Sequence, residues 1–357
     1  MRKSILSAVT ILFLISSAYA AGVTITTTHT EIVNETFDGS FSDYWYRAMN
    51  DFDYSGTFST NYTESGQCFR FENHADDPMI EGGKRSELEG PAEPQFEERI
   101  YNFSIFLPGA NSTEEWQMDN PDADEIIVQW HNNPDEDLNE AWTMPSLALT
   151  TNTVDGVQHY IIFNLWDDDA NTTTEKMDSE GKISYFDLGP IGADKGNWSN
   201  WSFYVKWGWL PEHNPRLEVY HNGVLVLERN GYPNTTNDGP GVNQQFGCYK
   251  WEWRDDNEGC DSILNRRVIY FDNVTVTEVT HTTEVILPNC ENPATDPDGD
   301  GLFEDLNGNG LKDFDDVVIF QNNIEWLRTN NAPVPWFDYN ENGLIDFDDV
   351  VQRYQMQ

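Results

Sequence analysis

The sequence is poor in positive charge. Lys and Arg number 20 against 62 Asp and Glu, for a formal net charge of −42. So acidic a chain argues against nucleic acid as a partner. Two origins together account for the excess: adaptation to a salty exterior, where screening tames self-repulsion, and binding of calcium. Cysteine is scarce too. Cys68, Cys248, Cys260 and Cys290 are the full set, and no Cys/His spacing suggests zinc. Cys248 and Cys260 flank a polar turn and are the expected disulfide. Long helical periodicity is missing up to about residue 285. After residue 20 no apolar run is long enough to span a bilayer. The run Ile5 to Ile15 follows Arg2 and Lys3 and precedes Ala18-Tyr19-Ala20, a small-x-small cleavage site. Residues 1–20 read as a secretory signal peptide, which implies export as a soluble chain or retention at a surface by a partner.

What is present is β-structure. Short alternating runs rich in β-branched and aromatic residues occur at Arg99–Leu107, Ile126–His131, Ser146–Thr150, Tyr160–Trp166, Trp201–Trp207, Leu217–His221, Val224–Glu228 and Val268–Val276. Asn222-Gly223 between two of them is a hairpin signal. Aromatics make up 13% of the chain, enough for a two-sheet core with stacking surface to spare. The fold class is all-β: a jelly-roll (concanavalin-like) β-sandwich over 21–286, a polar linker over 287–297, and a small C-terminal α-helical calcium-loop domain over 298–357. Asn-x-Ser/Thr sequons at Asn34, Asn61, Asn102, Asn111, Asn171, Asn197, Asn200, Asn234 and Asn273 offer glycan acceptors in an exported chain, not all of them used.

The C-terminal domain contains a duplication. Asp305, Asn307, Asn309, Leu311, Asp313 and Asp316 are matched 33 residues later by Asp338, Asn340, Asn342, Leu344, Asp346 and Asp349. Oxygen ligands fall at loop positions 1, 3, 5, 9 and 12, with glycine at 6 and a carbonyl at 7, which is EF-hand arithmetic for a hard cation. Aspartate at position 12 must approach more closely than glutamate. Asp296, Asp298 and Asp300 form a further acidic run without an acidic twelfth residue. Helices are expected at Phe314–Leu327 and Phe347–Tyr354. This loop-then-helix repeat resembles the dockerin module of extracellular polysaccharide-degrading systems. The resemblance implies calcium-dependent folding and docking to a cohesin-like partner.

Three strand faces carry candidate chemistry. In Gln129-Trp130-His131, alternation places Gln129 and His131 on one face and leaves Trp130 to anchor the core. In Lys84-Arg85-Ser86-Glu87-Leu88, Arg85 and Glu87 share a face. In the run Gln245 to Trp251, Gln245, Gly247, Tyr249 and Trp251 share one, and Gly247 leaves room beside Tyr249 for a sugar ring. Arg-Ser-Glu-Leu, Gln-x-His and Gly-x-Tyr strands in this order resemble the jelly-roll polysaccharide lyases of the glucuronan-lyase, heparin-lyase-I-like and alginate-lyase branches.

The resemblance implies β-elimination on a uronate polymer. Arg85 and Gln129 neutralise the carboxylate, His131 or Tyr249 removes the C5 proton, and Tyr249 protonates the leaving oxygen. A tyrosine of ordinary pKa near ~10 needs help to ionise, which Arg85 would give. No metal is needed for this route. Glu87 and Trp251 are expected to bind substrate. Where the family carries a lysine, this chain has Gln245; Lys84 and Lys206 are the candidate replacements. Two other readings compete: a non-catalytic carbohydrate-binding protein of the cell surface, with Tyr249, Trp251 and Trp253 as a stacking platform, and a purely structural surface protein. A sandwich glycoside hydrolase would need a pair of carboxylates at a set separation, and no strand with closely alternating acids of that type occurs.

Overall fold

The computed structural model describes residues 21–356 apart from 64, 65, 122, 136, 138, 139, 141, 167–182 and 255–261. The expected signal peptide and Cys260 lie outside the described residues. The chain divides into two compact units, His29–Thr280, and His281–Gln357 together with the stretch up to Thr28.

Among the described residues the first unit is built on two antiparallel sheets. One has seven strands in the order β10 (Ile183–Pro190), β9 (Val157–Leu165), β8 (Leu147–Val154), β7 (Glu125–Asn132), β14 (Val242–Tyr249), β5 (Arg85–Glu93) and β2 (Tyr46–Met49). The other runs β13 (Val224–Glu228), β12 (Arg216–His221), β11 (Trp198–Lys206), β6 (Glu98–Phe106), β15 (Arg266–Ile286), β4 (Cys68–His74) and β3 (Gly56–Ser59), with β1 (Gly22–Glu35) also on β15. Strand β15 outruns its expected end at Val276 because β4, β6 and β1 pair with it in turn. The β12–β13 hairpin turns at Asn222 and Gly223, whose φ values of 50° and 78° are those of a type I′ turn.

Alternating side chains of the two sheets interlock. Trp130 of β7 is fully buried, 5.1 Å from Tyr101 and 4.8 Å from Phe203 of the opposite sheet. Phe246 of β14 lies edge-on to Phe71, at 5.8 Å, and 5.1 Å from Phe271. Such aromatic pairs add about 0.5–1.5 kcal/mol each to the burial of their area. The sequon asparagine Asn234 is fully buried. Its amide donates to the Lys206 and Arg216 carbonyls and accepts from the Gly208 N–H, so in the folded chain it is a structural residue, not a glycan site.

One buried cluster is ionic. Lys250 Nζ lies 2.7 Å from Glu125 and 2.9 Å from Asp119, and Arg267 pairs with the second oxygen of Glu125. All four side chains are almost wholly buried. Burial pulls the Lys250 pKa down, but Glu125 and Asp119 more than restore it, leaving it raised.

The second unit has its own core of Leu306, Val317, Phe320, Leu327, Phe337, Tyr339, Ile345 and Val350. The segment expected to be a linker belongs to it. Leu287 and Ala294 are buried there, and Thr295 exchanges two backbone bonds with Asp305. Helices α1 (Phe314–Thr329), α2 (Val334–Phe337) and α3 (Phe347–Gln355) follow. The last two acids of each loop double as a capping box. Asp313 accepts from the N–H of Asp315 while Asp316 accepts from that of Asp313; Asp346 and Asp349 repeat the pattern at 2.8 Å. Asp305 likewise accepts from Asn309 and Gly310, as Asp338 does from Asn342 and Gly343. Among the described residues no helix is long and apolar enough to cross a membrane.

Removing one member of the buried ionic cluster strands the others. Lys250→Met is expected to cost about 3–5 kcal/mol of stability, read as a shift in the urea midpoint at unchanged slope.

Candidate active site

A cleft of about 1350 Å³ lies over the outer face of the seven-stranded sheet. Strand β14 forms the middle of its floor, bonded to β5 on one side and β7 on the other. Register sets Tyr249 opposite Arg85 and Ile126, Gln245 opposite Glu89 and Gln129, and Asn243 opposite His131. The even positions Phe246 and Cys248 enter the core, so the odd ones face the cleft. Cys248 is buried; its expected disulfide partner is not among the described residues.

The structure brings Arg85, Gln129, His131, Gln245 and Tyr249 onto three adjacent strands. Arg85 lies 4.4 Å over the Tyr249 ring. Its Nη1 donates to Gln245 Oε1 at 3.1 Å, and the Gln129 amide donates to the same oxygen at 2.8 Å. The second Gln129 bond goes to Glu87 at 2.9 Å. Gln245 therefore acts as an acceptor that gathers two donors. A lysine at this position could not accept at all.

Several expectations need correction. Gln129 is fully buried with both of those bonds made inside the protein, so it braces the site from beneath instead of meeting the substrate carboxylate directly. Glu87 is fully buried as well, 3.5 Å from Arg85, and is not a substrate ligand. Lys84 is buried and donates to the Asp77 carbonyl, and Lys206 belongs to the other sheet; neither stands in for the missing lysine. Strand β14 ends at Tyr249, and Trp251 lies in a short 3₁₀ turn, Trp251–Trp253, exposed at the cleft. Trp253 is buried with its indole N–H on Ser262, so it cannot stack on a sugar. Gly247 does not clear space for a ring. At φ 146° it lets β5 pass close by, and a β-carbon there would strike the Ser86 carbonyl. Gly83 is the glycine that serves Tyr249: a β-carbon would sit 2.6 Å from its ring.

Burial sets the protonation states. It lowers the His131 pKa to about 4, with Arg85 adding to the fall and a bond to the Asn132 carbonyl opposing it. That bond, 2.8 Å from Nδ1, fixes the tautomer, since a carbonyl only accepts; Nε2 keeps its lone pair. Burial raises the Tyr249 pKa and outweighs the opposing pull of Arg85, so the phenol holds its proton. The expected ionising help from Arg85 does not prevail. Burial also pushes Glu87 up to about 7 against the pull of Arg85.

Sequence reasoning missed other cleft residues. Glu89 and Asn243 continue the alternations 85/87/89 and 243/245/247/249, which could have revealed them. Trp142, Glu81, Asp124 and Tyr185 come from loops and a more distant strand, and no periodicity points to them. The whole arrangement can hold an anion beside a guanidinium, take a proton on a neutral imidazole and give one from a phenol.

No curated protein matches the chain. Among solved structures the chain resembles an endo-β-1,4-glucuronan lyase from the fungus Trichoderma reesei, with 19% identity, a TM-score of 0.52, and 69% of this chain and 95% of that one covered. An alginate lyase from Pseudomonas aeruginosa shows 15% identity and a TM-score of 0.38, covering 70% of this chain and 97% of its own. The model of the polysaccharide lyase family matches residues 36–275. That span contains every residue lining the cleft, and the chain belongs to the polysaccharide lyase family.

Proposed function

We propose that this lyase cleaves a uronate-containing polysaccharide by β-elimination. The observation that carries the reading is the neutral His131 with its Nδ1 tied down, on a strand next to the one carrying protonated Tyr249, which Arg85 covers. The uronate carboxylate meets Arg85, which disperses the charge that builds up as the C5 proton leaves. His131 Nε2 takes that proton. The C5–H electron pair becomes the C4–C5 double bond, and the C4–O4 bond breaks. Tyr249 donates its phenolic proton to the departing oxygen. The base role falls to His131 alone, because a tyrosine raised by burial is the acid. Gln129, Gln245 and Glu87 hold Arg85 in place.

We further propose export and calcium-dependent attachment through the C-terminal repeat. Asp316 and Asp349 support a bound divalent cation. Both are fully buried carboxylates whose pKa burial raises, with further acids of the same loops raising it again. Asp305, Asn307, Asn309, the Leu311 carbonyl, Asp313 and Asp316 would hold one calcium, and the equivalent residues from Asp338 to Asp349 a second; the ion would fold and cross-link the loops. The acidic run at Asp296, Asp298 and Asp300 converges with Glu304, but Lys312 already sits 2.9 Å from Glu304 and 3.5 Å from Asp298. Attachment to a cohesin-like partner is supported by exposed apolar residues at equivalent places in both copies: Leu311, Phe314 and Val318, then Leu344, Phe347 and Val351.

Tyr249→Phe and His131→Ala are each expected to lower turnover by about 10²–10⁴-fold, followed by the ultraviolet absorbance of unsaturated uronates on alginate, glucuronan and heparin-type chains. Retained binding without product on every polymer overturns the reading. The base form of His131 exists above its pKa of about 4, so the acid limb of kcat/KM should fall near 4, well below an ordinary histidine, and move in a His131→Gln variant of residual activity. Chelation should abolish one calorimetric transition of the full chain and leave the sandwich's transition in place; a tail indifferent to calcium refutes the metal assignment.

A further inference from the structure

The cleft is acidic although the proposed substrate is an anion. Its lining includes Glu81, Glu89, Asp124 and Glu252 against the cations Arg85 and Arg254. Glu81 lies 3.9 Å from Arg85, so the guanidinium at the centre is already partly offset. Arg85 stands at the reacting centre with Tyr249, where Gln245 replaces a second cation. Glu89 is four residues further along the same strand face, held at 2.7 Å by Asn243. Glu252 lies in the turn after Tyr249, and Arg254 is drawn over the Trp251 ring at 4.2 Å. A sugar carboxylate at the centre therefore finds one guanidinium. Burial raises Glu89 to about 7 and Asp124 to about 6, so above pH 7 a carboxylate on either neighbouring sugar comes within a Debye length of ionised acids, and among the described lining residues Arg254 is the one further cation. Exposed Trp142, and Trp251 on the side that Arg254 leaves open, offer ring faces that suit the apolar side of an uncharged sugar.

Resting on the β-elimination reading, we infer that the cleft selects a heteropolysaccharide in which each reacting uronate is flanked by uncharged sugars, and rejects a run of consecutive uronates. Like charges placed opposite each other discriminate by repulsion, so the selectivity comes from what the cleft refuses.

The test compares two polymers with the same uronate and different neighbours: hyaluronan oligosaccharides, whose glucuronates alternate with neutral N-acetylated sugars, and glucuronan oligosaccharides of equal length. Binding is measured by calorimetry and cleavage by ultraviolet absorbance, separately, on the full-length protein at low ionic strength and above pH 7, where Glu89 and Asp124 are ionised. Hyaluronan is expected to bind about tenfold more tightly, with the gap closing as salt screens the acids. Glu89→Gln keeps an oxygen for Asn243 and should narrow the gap by improving glucuronan binding severalfold more than hyaluronan binding; Glu252→Gln should act alike. Glu212→Gln, an exposed acid outside the cleft, should change neither, which separates the cleft from the overall charge. Equal or tighter glucuronan binding by the native protein overturns the inference, as does failure to bind either. Preferential hyaluronan binding without product from either polymer upholds it and overturns the elimination reading.

Discussion

The buried ionic cluster around Lys250 fixes the geometry on which the site depends. Lys250 directly follows Tyr249, and alternation sends the two side chains in opposite directions. One enters the cleft; the other reaches Glu125 at the start of β7 and Asp119, with Arg267 of the opposite sheet closing the cluster. Taking four charges out of water is costly, and their attraction repays it only if every member is in place. The cluster is thus all or none. It ties the end of β14, the start of β7 and the second sheet into one piece, and the phenol one residue away inherits that rigidity.

The same economy of position governs the cleft floor. Gln245, Gln129 and Glu87 form a bonded layer under Arg85, so the guanidinium is oriented before any substrate arrives. A site arranged in advance does not spend binding free energy on ordering its own groups. The glutamine that looked from sequence like a lost charge is the acceptor around which this layer is built.

Much of this was legible in the sequence because it depends on alternation. The sandwich, the burial of Trp130, the shared strands of the site and the Asn222-Gly223 turn all follow from period two and local turn chemistry. The rest depends on what the neighbouring strand does. Gly247 looked like empty space, but its meaning lies in Ser86 across the sheet. Glu87 shares a face with Arg85, yet burial depth, which alternation does not report, removes it from contact with substrate. Residues 287–297 look like a linker because they are polar and contain proline, while Leu287 and Ala294 supply the apolar contacts that count. Lys84 and Lys206 carry the right charge, but charge reports neither the burial that removes Lys84 nor the sheet that Lys206 joins.

Strand β14 serves two masters with period two. Phe246 and Cys248 answer to the core, Asn243, Gln245 and Tyr249 to the cleft. Substitutions at Asn243 can revise what the enzyme accepts while the packing face, Gln245 and Tyr249 stay untouched. A lineage carrying this strand could therefore explore new polymers without first surrendering its stability, with Tyr249 held in place by its chemistry and Gly247 closed to any side chain by the neighbouring strand.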